Sequence, residues 1–261
     1  MFPFFQIGSI EVYMFWLFLS ICFFVFIFML KKTSEKFHFS YDFFSKDIIW
    51  YFFSVFLFAR LFYVISNWWS IAFIANPFEL FLMSDYNFSI FGAIFGFMLV
   101  LYFKLKWQNK KLEQYIDGVF LAFIITASVW YIGALLGGQV YGTDTSIGIE
   151  ISYNHSFTPV PYKVPIFPLP IVYALISFII FSVFYTSHIF TEKKGLIGYL
   201  GFIVFACMIL IWDTLNGKYD PLHSLVGVHF SQVFALILIG ICAHRLHLLI
   251  RQQSADANIQ K

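Results

Sequence analysis

Five polar residues could bind an anion or take part in a reaction on it. Each lies near one end of a long apolar run, and all of these ends are predicted to face the same side of the membrane. Arg60 is placed about 18 Å along its run from the lysine-flanked end, at ~1.5 Å of rise per residue. Asp213 closes a later run, Gln232 lies about two turns into the last run, and Gln139 and Tyr141 follow a fourth. Charged groups at membrane depth are costly and are usually functional or paired. These residues form the candidate polar site, with Arg60, Asp213 and Gln139 as the catalytic candidates.

A second interpretation of the same residues is an Arg60–Asp213 ion pair that only joins two helices. Asp117, at the start of another run, is interpreted as structural, because a carboxylate is stabilised near a helix N-terminus. His223 and His229 are interpreted first as polar residues at a helix end, and they remain the alternatives to Asp213 if the site requires a base. The three cysteines all lie in apolar runs without metal-binding spacing, so neither a metal nor another cofactor is expected.

The stretch Tyr131–Gly142 connects one of the apolar runs to a polar segment, and it holds four of the 15 glycines. Glycine lets two backbones, or a backbone and a ligand, approach more closely than any side chain would permit. Gln139 and Tyr141 lie among the last of these glycines. We therefore expect the turn to present polar groups at the point where the membrane ends.

Composition indicates a polytopic helical membrane protein. The chain has 261 residues, of which 61% are hydrophobic and only 11% are charged, whereas soluble domains carry about 25% charged residues. Several apolar runs reach about 18 residues, the length that crosses a bilayer as a helix, and they are continuous rather than alternating, which excludes an outer-membrane barrel. The net charge of +2 gives no reason to expect a nucleic-acid partner.

The predicted fold is all-α, a single integral membrane domain over residues 1–261. The seven predicted spans are residues 12–30, 48–65, 88–103, 115–136, 169–188, 196–212 and 225–250. A shorter apolar segment at 71–83 contains Asn76 and Pro77 and is predicted to lie at the membrane interface. Residues 143–165, rich in Pro, Ser, Thr and Tyr, form the predicted loop outside the membrane.

Positive charge predicts the orientation of these spans. Thirteen of the sixteen Lys and Arg residues fall in the loops after spans 1, 3 and 5 and toward the C-terminus. The opposite loops hold Lys163 and Lys218, and the remaining residue is Arg60. Because cytoplasmic loops are enriched in positive charge, the N-terminus is predicted to lie outside and the C-terminus in the cytoplasm. We expect a multi-pass protein of the bacterial inner membrane, with the glycine-rich turn facing outward.

The chain resembles the prolipoprotein diacylglyceryl transferase family over nearly its whole length. These are seven-span bacterial inner-membrane enzymes with the N-terminus outside. They move a diacylglyceryl group from phosphatidylglycerol onto the lipobox cysteine of a prolipoprotein. The stretches that carry the resemblance are Ile7–Ile10, Ala59–Val64, Ser89–Gly96, Tyr115–Asp117, Ile132–Gly133, Gly138–Gly142, Val172–Tyr173, Asp213 and Gly227–Gln232.

The resemblance implies a lipid substrate and a prolipoprotein signal segment as binding partners. The residues that it implies for lipid binding are Arg60, Tyr63, Tyr131, Gly138, Tyr141, Gly142 and Gln232. Several positions depart from the family pattern. Phe91 replaces a histidine, Tyr131, Ile209 and Asn216 replace arginines, Ala134 replaces an asparagine, and Gln139 replaces a glutamate.

Three functions remain open from the sequence. The first is a divergent diacylglyceryl transferase. The second is an inactive relative that binds phospholipid or a lipoprotein signal segment in the same cavity. The third is a small transporter or structural membrane subunit, which the lack of an internal repeat of the transporter kind disfavours.

Overall fold

The computed structural model describes residues 4–8, 10–67, 88–145, 149, 151–152, 160, 164–187, 193–218 and 220–259. The predicted interfacial segment at 71–83 and most of the predicted loop at 143–165 lie outside the described residues.

The chain begins with a two-stranded antiparallel hairpin and continues as helices. The hairpin consists of β1 (Phe4–Ile7) and β2 (Ile10–Tyr13). The helices are α1 (Met14–Lys36), α2 (Asp42–Ser45), α3 (Ile48–Ser66), α4 (Ile90–Trp107), α5 (Ile116–Gly137), α6 (Leu169–Ser187), α7 (Leu196–Trp212), α8 (Pro221–Val226) and α9 (Phe230–Ile259). Short 3-10 turns occupy Leu112–Gln114 and Asp213–Leu215.

Seven of these helices, α1, α3, α4, α5, α6, α7 and α9, are long and apolar enough to cross a membrane. The prediction of an all-α membrane protein with seven spans is confirmed, and the short hairpin was not predicted. Successive spans alternate in direction. We call the end that carries residues 138–142 the turn end of the bundle, and the opposite end the lysine end.

Two boundaries differ from the sequence prediction. Helix α1 does not stop before Lys31 but continues to Lys36, so a little over one and a half turns of polar helix extend beyond the apolar run, at about 3.6 residues per turn. The last predicted span is interrupted at Gly227, whose φ of 72° ends α8, and α9 starts only at Phe230. The placement of Gln232 two turns into the last span was therefore wrong, because Gln232 is the third residue of α9.

Helix packing is closest within two groups of helices, which share buried side chains with each other. Helix α5 is central and packs on α1, α6 and α7, and α7 packs on α9. Helix α3 packs chiefly on α4, where Gly92 and Gly96 bring the backbones together. A Cβ atom added at Gly92 would lie 2.2 Å from the carbonyl oxygen of Phe58. The α3–α4 pair is thus a closely packed hairpin beside the α1–α5 pair.

Asp117 joins two helices at the lysine end. Its two carboxylate oxygens accept the backbone N–H groups of Gly195 and Gly198, each at 2.6 Å. These groups belong to the start of α7, where helical N–H groups have no partner within the helix. The side chain is buried, which agrees with the structural role expected for it. This contact fixes α7 against α5 and so sets the position of Asp213 at the far end of α7.

Candidate functional site

A cavity of about 150 Å³ lies at the turn end of the bundle, and we call it the polar cavity because Asp213, Gln139 and Asn216 interrupt its otherwise largely apolar wall. The start of α4, the ends of α5 and α7 and the starts of α6 and α9 contribute to its wall. The side chains around it are Phe88, Ser89, Ile90, Phe91, Trp130, Tyr131, Gln139, Val140, Tyr173, Ile209, Asp213, Asn216, Lys218 and Ser231. The cavity therefore brings together Asp213, Gln139 and Tyr131 from the sequence-predicted set.

Asp213 is the carboxylate of this cavity, and it is buried. Its Oδ1 accepts hydrogen bonds from the hydroxyl of Tyr173 at 3.0 Å and the amide of Asn216 at 2.9 Å. Its Oδ2 accepts one from the hydroxyl of Ser231. Among the described residues these three donors are its partners, and Arg60 is not one of them. An Arg60–Asp213 ion pair, the alternative interpretation from sequence, is not formed.

Gln139 contributes a polar atom without a protein partner in the described part of the chain. Its Oε1 is buried and accepts no hydrogen bond there, although buried polar atoms are nearly always satisfied. The side chain folds back over Gly137, where a Cβ atom would lie 2.3 Å from that oxygen. Gln139 is one of the residues that line the cavity, and an amide oxygen can accept a hydrogen bond from a hydroxyl or an amide.

The glycine-rich turn holds the loop after α7 in place. Gly138 takes a left-handed conformation with φ of 72° and ends α5. Beyond it, the carbonyl oxygen of Tyr141 accepts the N–H of Gly217 at 3.0 Å, and Gly142 forms an antiparallel bridge with Asn216. A Cβ atom at Gly217 would lie 2.3 Å from the carbonyl oxygen of Gly142. The turn thereby fixes the backbone of the segment that follows Asp213.

Arg60 and Tyr63 lie on α3, outside the wall of the cavity as it stands. Arg60 is buried, and its guanidinium carbon lies 5.3 Å from the centre of the Tyr63 ring. The amine of Lys218, which does border the cavity, lies 4.9 Å from the centre of the same ring. The Tyr63 ring therefore lies near both the guanidinium of Arg60 on α3 and the amine of Lys218 at the edge of the cavity.

Gln232 and its neighbours form a separate hydrogen-bonded group. The Oε1 of Gln232 accepts the N–H of His229 at 2.9 Å, and its Nε2 donates to the carbonyl of Leu210 at 3.1 Å. The amide thus ties α9 to α7, and it does not border the cavity. Its role in lipid binding stays a prediction.

Asp220 caps α8 and also accepts a hydrogen bond from the first residue of α9. Its Oδ1 accepts the N–H of Leu222 and its Oδ2 the N–H of Phe230, while Nδ1 of His229 lies 3.6 Å from Oδ2. Burial acts to raise the pKa of this carboxyl, but the contact with His229 and the two backbone bonds outweigh it. The pKa of Asp220 is therefore below its ordinary value.

An apolar cleft of about 250 Å³ runs from the polar cavity toward the lysine end. It lies between the α1–α5 pair and the α3–α4 hairpin, and Phe side chains from five spans line it. Phe88, Ser89, Ile90 and Trp130 border both the cleft and the cavity, so the two spaces adjoin. The combined site has a small polar end and a long apolar end.

Several residues of the site gave no signal in the sequence. In the sequence, Tyr173 is distinguished only by its place in Val172–Tyr173, one of the stretches that carry the family resemblance. Nothing in the sequence pairs it with Asp213, which is 40 positions away. Ser231 and Asn216 are ordinary polar residues next to helix ends, and only the fold brings them to Asp213. Within the described residues, no group of three His, Cys, Asp or Glu side chains is placed to hold a metal ion.

Comparison with known proteins identifies one family. The model of the family described as prolipoprotein diacylglyceryl transferase matches residues 3–247 of this chain. A phosphatidylglycerol–prolipoprotein diacylglyceryl transferase of Clostridium tetani is 25% identical over 241 residues, which cover 91% of this chain and 94% of the relative. One from Dehalococcoides mccartyi is 23% identical over 206 residues, or 78% of this chain and 75% of the relative.

Proposed function

This chain belongs to the prolipoprotein diacylglyceryl transferase family, and from that premise we propose that it transfers a diacylglyceryl group from phosphatidylglycerol to the cysteine thiol of a prolipoprotein. The two substrates in this proposal are those that appear in the names of the relatives. The observation that carries the proposal for this chain is the adjoining pair of spaces, one polar and one apolar.

The shape of the combined site fits a phospholipid. Acyl chains gain about 0.8 kcal/mol for each methylene that leaves water, but within a bilayer an apolar cleft offers them only packing. The polar cavity supplies what the bilayer does not, namely hydrogen-bond acceptors and donors for a headgroup. A lipid whose chains lie in the cleft would place its glycerol at Ser89 and Trp130, beside Gln139 and Asp213.

The reaction needs a base for the thiol and a cation for the departing phosphate. The thiol loses its proton, the sulfur forms a bond to the terminal glycerol carbon, and the bond between that carbon and the phosphate oxygen breaks to release glycerol phosphate. We assign proton acceptance to Asp213, the carboxylate of the cavity, with Tyr173 and Ser231 as the donors that orient it. Arg60 is assigned to the phosphate, since a guanidinium binds phosphate through two parallel hydrogen bonds.

Some of the remaining predicted residues are assigned to contact with the lipid, and the others are assigned to holding the lipid site in place. Gln139 offers its unpartnered Oε1 to a headgroup hydroxyl, and Tyr131 borders the cavity with its ring 4.8 Å from that of Tyr173. Tyr63 holds Arg60 through its ring. We assign the other four to support of the lipid site through the backbone turn and the α7–α9 contact: Gly138, Tyr141, Gly142 and Gln232.

We further propose that the turn end faces the outside of the bacterial inner membrane, with the N-terminus outside and the C-terminus in the cytoplasm. The lysine-rich loops support this orientation. Alkaline phosphatase fused after Gly142 is expected to be active, and the same fusion after Lys194 inactive. The reverse pattern would reject the orientation.

A second candidate, an inactive relative that binds lipid, is favoured by one observation. Phe91 borders the cavity, where the family pattern has a histidine, and its ring packs near Phe205 and Phe234. This part of the wall is therefore apolar and supplies no base. If Asp213 does not take that role, the site retains the shape for lipid but not the chemistry.

The proposal is tested by complementation in a bacterium depleted of its own diacylglyceryl transferase. Expression of this chain is expected to restore growth and to yield lipoprotein carrying the diacylglyceryl mass. Asp213→Asn is expected to abolish the modification, whereas Thr214→Ala, at an exposed neighbouring position, serves as the matched control. Stable membrane expression without modified lipoprotein would reject transfer and favour the binding function.

A further inference from the structure

We propose that helix α2 closes the apolar cleft at its lysine end, and that the ring of Phe44 limits the length of the acyl chain that the cleft accepts. This inference deepens the proposed function and rests on it, because it assigns the cleft to a chain of the same lipid substrate. Phe44 belongs to a four-residue helix between two spans, and it lies outside every stretch that carries the family resemblance.

The length of the cleft matches one leaflet of a bilayer. Its lining extends over residues 19–30 on α1, 48–59 on α3 and 119–130 on α5. Each of these stretches measures about 16 Å along its helix, at ~1.5 Å of rise per residue. Half of a ~30 Å hydrocarbon core is about 15 Å. A chain that starts beside the polar cavity and fills one leaflet therefore fits the cleft from end to end.

Aromatic rings close the lysine end of the cleft. Phe44, Tyr51 and Phe97 line it there, and the centre of the Tyr51 ring lies 5.6 Å from that of Phe44 and 4.8 Å from that of Phe97. The rings of Phe43 and Tyr115 lie outside the lining, with their centres 5.3 Å and 5.9 Å from that of Phe44. All five side chains are buried. A chain that extended past Phe44 would have to displace packed rings.

The buried core continues toward the lysine end after the cleft has stopped. On α4 the last residue that borders the cleft is Met98, and the next buried residues, Leu101 and Leu105, do not border it. Helix α5 runs in the opposite direction and first borders the cleft at Val119, although Ile116 is also buried. The two helices thus place the end of the cleft at the same level as the aromatic rings.

Helix α2 is held in place by α4. Nζ of Lys104 donates to the backbone carbonyl of Phe43 and forms an ion pair with Asp47, and it lies 4.4 Å from the centre of the Phe43 ring. The N–H of Phe44 donates to the carbonyl of Tyr41 at 2.8 Å, and the N–H of Asp47 donates to the carbonyl of Phe44 at 3.2 Å. Phe44 is therefore anchored on both sides and cannot move aside without breaking these contacts.

The experiment measures lipid binding as a function of chain length. Wild type, Phe44→Ala, Phe44→Leu and Phe53→Ala are purified in detergent. Each receives an equimolar mixture of dimyristoleoyl, dipalmitoleoyl, dioleoyl, dieicosenoyl and dierucoyl phosphatidylglycerol, and native mass spectrometry gives the relative occupancy of each lipid. Phe53 is exposed on α3 and outside the lining, so Phe53→Ala is the matched control. Phe44→Leu keeps an apolar side chain and gives a result if Phe44→Ala does not fold.

Wild-type binding is expected to fall by about tenfold for chains that exceed the cleft, because they would overpack its closed end. Phe44→Ala removes the phenyl ring, and its surroundings relax only partly, so the fall should move to chains about two to four carbons longer. Phe44→Leu should move it in the same direction by a smaller amount, and Phe53→Ala should match the wild type. The same length profile for wild type and both Phe44 variants would overturn the inference, and so would an equal shift in Phe53→Ala.

The result is separable from the proposed transferase activity. If the length profile shifts but no lipoprotein is modified, the chain-length limit stands and the transfer reaction fails. If the wild type transfers the diacylglyceryl group and the profile of the Phe44 variants does not shift, the proposed function stands and the role of Phe44 is rejected. Failure of the wild type to bind phosphatidylglycerol of any length would overturn both, since each requires the lipid site.

Discussion

The α3–α4 contact allows the sharpest stability prediction, because at Gly92 it leaves no space for even one methyl group. In Gly92→Ala the new Cβ atom would lie 2.2 Å from the carbonyl oxygen of Phe58 and 2.8 Å from the Cα of Ala59. A carbon atom normally stays about 3.3 Å or more from such an oxygen, so the two helices must separate by about 1 Å. The atoms met are backbone atoms, which cannot rotate away.

The expected cost follows from two opposing effects. Overpacking a well-filled contact costs about 1–3 kcal/mol, while replacing glycine by alanine in a helix contributes about 1 kcal/mol in the other direction. Because the atoms met at Gly92 are backbone atoms, the upper part of the overpacking range applies, about 2–3 kcal/mol, and we expect Gly92→Ala to lower the free energy of unfolding by about 1–2 kcal/mol. Gly240→Ala is the matched control, because it lies within α9 with no atom within 4 Å of the added Cβ. That variant should gain about 0.5–1 kcal/mol.

The assay is unfolding of the purified protein in mixed micelles, titrated with a denaturing detergent and followed by circular dichroism. Opposite shifts of the two variants would support the packing argument. If Gly92→Ala were as stable as wild type while Gly240→Ala gained stability, α3 and α4 would not be in the close contact described.

Three further predictions concern buried carboxylates and their partners. Asp117→Ala should lower the free energy of unfolding by about 2–4 kcal/mol in the same assay, since two charge-assisted bonds are lost, whereas exposed Glu35→Ala should change it little. Because the pKa of Asp220 is below its ordinary value, its ionised form contributes stability above about pH 4, and this contribution is lost as pH falls through the lower, folded-state pKa. Asp220→Asn should therefore be less stable than wild type at pH 7, with the difference shrinking toward pH 3. Tyr173→Phe should slow diacylglyceryl transfer about tenfold without unfolding the protein, while Tyr185→Phe, near the lysine end of the same helix, should not; equal rates would remove Tyr173 from the site.

The seven spans were predictable because each is an uninterrupted apolar run, and a helix is the structure that satisfies its backbone within a bilayer. The break before α9 was not predictable from the sequence. Leu225 and Val226 continue the apolar pattern, and only the left-handed conformation of Gly227 separates α8 from α9. A single glycine in an apolar run is compatible with either outcome, so composition alone could not decide.

The candidate site was predictable in part. Asp213 was found because a carboxylate at the end of an apolar run is conspicuous, and Gln139 because it lies among glycines. The partner of Asp213 was not Arg60, as one interpretation held, but a set of neutral donors from α6 and α9 and the turn after α7. Neutral donors such as Tyr173 and Ser231 have no distinctive spacing, and depth along a helix does not tell which face a side chain occupies.

Lys218 illustrates the same point for a charge. Loop lysines are common, and the sequence places Lys218, like Lys163, only at the rim on the same side of the membrane as Arg60. Its relation to Tyr63 depends on how the turn at residues 138–142 holds the segment after Asp213, which is a property of the fold.

A reconstituted reaction can show whether this protein transfers a diacylglyceryl group. Purified protein in phosphatidylglycerol vesicles is mixed with a lipobox peptide, and mass spectrometry follows the peptide while released glycerol phosphate is quantified. We expect one glycerol phosphate for each diacylglyceryl-peptide, with the yield abolished by Asp213→Asn and strongly reduced by Arg60→Gln. Stable binding of phosphatidylglycerol with neither product formed would contradict this expectation.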